Sequence, residues 1–132
     1  MKTLNEYIEE YIKLNEEDFS NNKIEKLRNH NFNHTDVVGI FESIVMDLNK
    51  GWYPNHKSPD WPDWGYCIYH SVVRTGVHVY RGVPAGGFCW DLYRSVDFIN
   101  RYIVAHSIFK SKELVVKAIE ICGKDFLNLL FG

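Results

Sequence analysis

The sequence predicts a mostly helical α+β domain in which a small antiparallel sheet, at about residues 66–92, lies between N-terminal and C-terminal helices. Three observations predict it. Apolar residues recur at helical spacing near both ends of the chain. Two runs rich in β-branched and aromatic residues flank a short turn in the middle. The order is helices, sheet, helices, not the alternating strand and helix of nucleotide-binding folds. The 132 residues read as a single domain, 1–132. A chain of that size buries roughly two-thirds of its unfolded surface, enough for a core without staples.

The first helix is predicted over 3–18. Leu4, Ile8, Tyr11 and Ile12 share one side, Glu6, Glu9, Glu10, Lys13 and Glu17 take the other, and Thr3 is an available N-cap. Asn21-Asn22 breaks the pattern, and a short helix with Ile24 and Leu27 follows at 23–29. After a polar break at Asn31 to His34, Thr35 or Asp36 caps a helix over about 36–50. Its stripe is Val37, Phe41, Ile44, Val45 and Leu48, with Lys50 suited to the C-terminal end and Gly51 to the position beyond.

Residues 51–65 hold three prolines and three tryptophans, so regular structure stops there and one long, ordered loop is expected. Strands at 66–73 and 77–83 follow, joined through Arg74-Thr75-Gly76 as a three-residue hairpin loop. That register sets Val73 against Val77, Val72 against His78 and His70 against Tyr80. Phe88 to Leu92 forms a third strand or opens the next helix. A largely buried helix is expected over 95–109. Ser111 caps a further helix to about Cys122, Gly123 ends it, and a last helical segment covers 124–131.

Composition excludes several classes. The formal net charge is −2, and the basic residues are scattered, so direct nucleic-acid binding is not expected. Residues 1–18 carry two lysines against six acids, a net −4, which leaves +2 for the rest. That segment is either a solvated helix face or a surface for a basic partner. The three cysteines, Cys67, Cys89 and Cys122, are odd in number and none is spaced as CxxC, which argues against a disulfide framework or a closed zinc site. Met1 leads into a polar stretch with no apolar run of about 18 residues. The expectation is a cytoplasmic protein with no membrane partner and no cofactor.

Four groups of residues offer chemistry. His70, His78 and Tyr80 come together in the register above, where imidazole and phenol could shuttle protons as in metal-independent ribonucleases. Cys89 follows Gly86-Gly87-Phe88 and precedes Trp90, a thiol just after a glycine turn and at a possible helix start. This resembles the nucleophile of papain-like and transglutaminase-like enzymes. In those families the partner histidine follows on a later strand, whereas here only His106 follows, within a predicted helix; His70 or His78 would require a permuted order. His30 and His34 are spaced i, i+4, but asparagines lie between them in a break, and no metal role is assigned. Asp60, Trp61, Asp63 and Trp64 form the most unusual stretch. Tryptophan is a common binding anchor, and the paired aspartates suit a partner with basic and apolar patches.

In size, in the acidic segment Glu6 to Asp18 and in the aromatic Asp60 to Trp64, the chain resembles immunity proteins of bacterial polymorphic-toxin and contact-dependent growth inhibition systems. The resemblance implies a protein-binding inhibitor that covers the active site of a cognate toxin, such as a basic nuclease domain. The partner-binding residues would be Glu6, Glu9 and Glu10 with Asp60, Trp61, Asp63 and Trp64. Two other classes stay open. One is a small metal-independent enzyme using His70, His78 and Tyr80, or Cys89 with one of those histidines. The other is a structural or regulatory subunit.

Overall fold

The computed structural model describes residues 1–52, 64–70, 73–81 and 108–131, with the backbone alone for Trp64 and residues 78–81. Among the described residues there are four helices and a two-stranded antiparallel sheet, which is the mostly helical α+β class that the sequence predicts. No helix among them is long and apolar enough to cross a membrane.

Helix α1 spans Leu4–Leu14. Thr3 caps it by a capping box: its hydroxyl accepts from the Glu6 N–H, and the Glu6 carboxylate accepts from the Thr3 N–H. The helix stops four residues earlier than expected. Asn15 takes the C-cap and its side-chain amide donates to the Tyr11 carbonyl, which offers the backbone an alternative to a further turn. Tyr7, absent from the predicted stripe, is buried with Ile8 and Ile12.

Helix α2 spans Asn21–Arg28. Asn21 and Asn22 therefore open a helix rather than break one, because Ser20 caps it by accepting from the Lys23 N–H. Eight residues cannot sustain a helix alone in water. Leu27, fully buried, anchors it, and such a side chain contributes about 1.5–3 kcal/mol.

Helix α3 spans His34–Asn49. Its N-cap is Asn33, not Thr35 or Asp36. Asn33 and Asp36 form a reciprocal box in which each side chain accepts from the other's N–H, and this places Asp36 inside the first turn. Lys50 takes the left-handed conformation at the C-cap, with φ of 50°, and Gly51 follows at 87°. Gly39 lets α1 and α3 approach: a Cβ there would stand 2.7 Å from the Tyr11 ring. Val37, Ile40, Phe41, Ile44 and Val45 fill the core.

The strands are β1, Trp64–His70, and β2, Thr75–Arg81. The register differs from the expected one. His70 pairs with Thr75, Tyr69 with Gly76, Ile68 with Val77 and Cys67 with His78. Gly76 lies inside β2, and Val73, expected inside a strand, is exposed. This register sets Ile68 and Val77 together against the main core, so nonlocal burial outweighs the local turn signal. The predicted third strand at 88–92 lies outside the described residues. Tyr66 also bridges to Phe109, which was expected in a helix: the Phe109 N–H and carbonyl exchange bonds with the Tyr66 carbonyl and N–H at 2.6 and 2.9 Å. Gly65 permits this closeness, since a Cβ there would stand 2.3 Å from Ile108 Cγ2. Residues 95–107 of the predicted helix lie outside the described residues.

On the far side of this short segment, Asn49 donates to the Ile108 carbonyl at 2.8 Å and accepts from the Lys110 N–H at 3.0 Å. Helix α4 spans Lys112–Phe131 with a kink at Gly123, whose φ of 74° and ψ of 165° are non-helical. The Ser111 hydroxyl accepts from the Leu114 N–H, as a cap does. The two predicted segments on either side of Gly123 are both present. Val115, Ala118, Ile121, Cys122, Phe126, Leu127 and Leu130 are buried, and α4 packs against α3 and both strands.

Asn49 is 6% exposed, and its removal would strand two backbone groups. Asn49→Ala is expected to cost about 2–6 kcal/mol, from about 1–3 kcal/mol for each of the two groups left unpaired. Urea denaturation measures it. A loss below the usual scatter of surface substitutions, about 0.5 kcal/mol, would show that water replaces the amide.

Candidate functional site

The backbone register does not place positions 70, 78 and 80 on one face of the hairpin, as the expected register did. Facing residues share a side of a two-stranded ribbon and alternate along it. His70 faces Thr75, whereas position 78 faces Cys67 and position 80 faces Gly65, on the opposite side. The His70 ring is bound at both nitrogens, by the Thr75 hydroxyl and the Asn128 side-chain oxygen, each at 2.7 Å. It also packs beside Phe131. His70 thus ties the hairpin's end to the last turns of α4.

Cys89, Asp60, Trp61 and Asp63 lie outside the described residues, and Trp64 is placed by its backbone opposite Arg81. Cys67 and Cys122 are buried free thiols. Burial pushes both up to about 12, so neither is a thiolate at neutral pH. His30 and His34 are divided by a helix boundary. His30 is left-handed, with φ of 59°, bonds to Asn5 at 2.8 Å and stacks on Phe32, while His34 opens α3. Among the described residues no three His, Cys, Asp or Glu side chains are grouped to hold a metal.

Two surfaces remain, of opposite charge. The first is α1 and the turn after it. Glu6, Glu9, Glu10, Glu16, Glu17 and Asp18 are all exposed. Three of the predicted binding carboxylates have partners: Glu6 in the capping box, Glu9 with Arg28 at 2.8 Å and Glu10 with Lys2 at 2.6 Å. The Arg28 guanidinium holds the Glu9 carboxyl below its ordinary range. Counting Lys2, Lys13 and Arg28 against the six acids, a negative excess of three remains. Beside it stands Leu14, 80% exposed at the end of α1.

The second surface is a cavity of about 750 Å³ where α1, the end of α3 and the start of α4 meet. Lys2, Lys50, Lys110 and Lys117 line it, with Asp47 as the lining carboxylate. Trp52, Leu48 and Leu114 form its apolar wall. Asp47 is already engaged, accepting from the Tyr7 hydroxyl at 2.6 Å with the Lys2 ammonium at 3.9 Å. Burial and that bond hold the Tyr7 phenol well above its ordinary range. No motif announced this cavity, because its lysines come from three separate stretches of chain.

The class defined by these features is a mostly helical α+β domain with an acidic and a basic surface. Comparison with models of protein families, with curated proteins and with solved structures returned no match.

The thiols make a pH prediction. Cys67 and Cys122 rise from 9.0 to about 12 on folding, and Tyr11, buried and donating to Asp36, from 10.0 to about 12. The folded state then binds more protons than the unfolded state across that window, so stability is full below pH 9 and falls towards pH 12. Urea midpoints across alkaline pH should decline, and the Cys67→Ala, Cys122→Ala double variant should decline less steeply. Parallel profiles in the two proteins would refute this assignment.

Proposed function

We propose that the protein is a protein-binding inhibitor, and that it serves as an immunity protein, neutralising a cognate toxin by covering its active site. The observation that carries the reading is Leu14, an exposed apolar side chain at the edge of a helix and turn with an excess of carboxylates. Single exposed leucines are ordinary on protein surfaces. This one adjoins Glu10, Glu16, Glu17 and Asp18, which gives an apolar anchor with an acidic rim. A basic toxin domain is the complementary partner. The rim would steer its approach, and desolvated anchors would hold it.

The ion pairs of Glu9 and Glu10 shift the expected contact along the surface. Those carboxylates already have cations, so the contact should centre on Leu14 and the turn at 15–18 rather than on the middle of α1. Asp60, Trp61, Asp63 and Trp64 remain the proposed second set of anchors.

Affinity capture from the native host tests the reading. Tagged wild-type protein should retain a basic partner whose activity it suppresses. Leu14→Asp should weaken that complex by about thirtyfold or more, a hot-spot effect, while leaving the melting temperature unchanged. Added salt should slow association. A partner bound equally by wild type and by both Leu14→Asp and the Trp61→Ala, Trp64→Ala variant would dispose of both surfaces.

A further inference from the structure

We propose that the cavity between α1, α3 and α4 binds a small organic polyphosphate with a flat apolar body, a nucleoside triphosphate being the simplest case. The cavity's size is the first support. About 750 Å³ lies within the range of small-molecule pockets, about 300–1,000 Å³, and is large for a lone inorganic ion.

The charge is the second. Four lysines and one carboxylate line the cavity, and Asp47 accepts from the Tyr7 hydroxyl with the Lys2 ammonium 3.9 Å away. Among the described residues no carboxylate pairs with Lys50, Lys110 or Lys117. Lys50, Lys110 and Lys117 are exposed, and together they give the concavity a positive field that an entering anion would offset. Lysine is well suited to a phosphate chain because it acts as a point charge on a flexible stem. Lys2 is already paired with Glu10 and lies near Asp47, so the unmatched charge is that of Lys50, Lys110 and Lys117. The start of α4, with its positive dipole end, opens on the same space and adds to this field.

The apolar part of the lining explains the organic body. Trp52 is only half-buried, and with Leu48 and Leu114 it offers an apolar surface beside the lysines. A bare anion would leave that surface wet. A ligand with a phosphate chain at one end and a planar ring at the other satisfies both parts of the lining. This site is separate from the acidic surface at Leu14 and does not depend on any protein partner.

Isothermal titration of the purified protein with ATP, and separately with inorganic tripolyphosphate, tests the proposal. ATP should bind, and the Lys50→Gln, Lys110→Gln, Lys117→Gln triple variant should bind at least tenfold more weakly with an unchanged thermal melt. Trp52→Leu should weaken ATP several-fold and leave tripolyphosphate unaffected. A Lys117→Gln single variant, distant from the α3 C-cap, gives the same reading if the triple variant unfolds. Absence of ATP binding at about 1 mM in about 0.1 M salt, where exposed charges are screened beyond about 10 Å, overturns the proposal. Equal affinity in wild type and lysine variants does so too. Tripolyphosphate binding as tightly as ATP, with neither sensitive to Trp52→Leu, overturns the assignment of an organic body. Binding of a single-stranded oligonucleotide that ATP cannot displace would mean a macromolecular ligand and likewise overturn it.

Discussion

The two ends of α3 hold the molecule together through one buried polar side chain each. Asp36 is 2% exposed at the N-terminal end and Asn49 6% at the other. A carboxylate that far from water is tolerated only when charge and lone pairs are matched. Asp36 is matched from three directions: the Tyr11 hydroxyl of α1, the Lys23 ammonium of α2 and the Asn33 N–H of its own cap. It thereby fixes where the two N-terminal helices lie against α3. Asn49 does the same for the C-terminal half through Ile108 and Lys110. The apolar contacts supply most of the free energy, but they are not directional. The polar pair specifies which packing is adopted.

That arrangement also separates the surface charge. α1 and α2 turn their carboxylates outward, and the ion pairs of Glu9 and Glu10 draw cations onto one flank of them. The far end of α3 brings Lys50 beside the chain entering α4, where Lys110 and Lys117 follow. Lys2 lies at the border, bonded to Glu10 and facing Asp47. A chain with a formal net charge of −2 can therefore present a strongly basic concavity. Net charge describes the whole surface and conceals such local fields.

What was legible in the sequence was local. The Thr3 cap, the stripe of α3, the Ser111 start and the Gly123 break each depend on neighbours within a turn or two, and each stands where expected. Caps with several polar residues in a row were harder. Asn33, Thr35 and Asp36 are all competent, and the reciprocal box with tertiary partners for Asp36 decided between them. The strand register was not legible. Arg74-Thr75-Gly76 made an acceptable turn locally, but burial of Ile68 and Val77 against helices distant in sequence set a different pairing. With it went the placement of positions 70, 78 and 80 on one face. The lysine cavity was hidden for the same reason, since only the folded chain brings residues 2, 50, 110 and 117 together.

Asn49 has one more consequence. A residue in a strand offers its neighbour one donor and one acceptor, and the Asn49 amide offers Ile108 and Lys110 the same two groups. The segment that borders β1 is therefore bonded to Tyr66 on one side and to a side chain on the other. A side chain cannot be extended into a ladder as a strand can. Another molecule's strand would have to displace the amide before it could add to this edge, so the protein carries its own barrier to chain-to-chain sheet growth there.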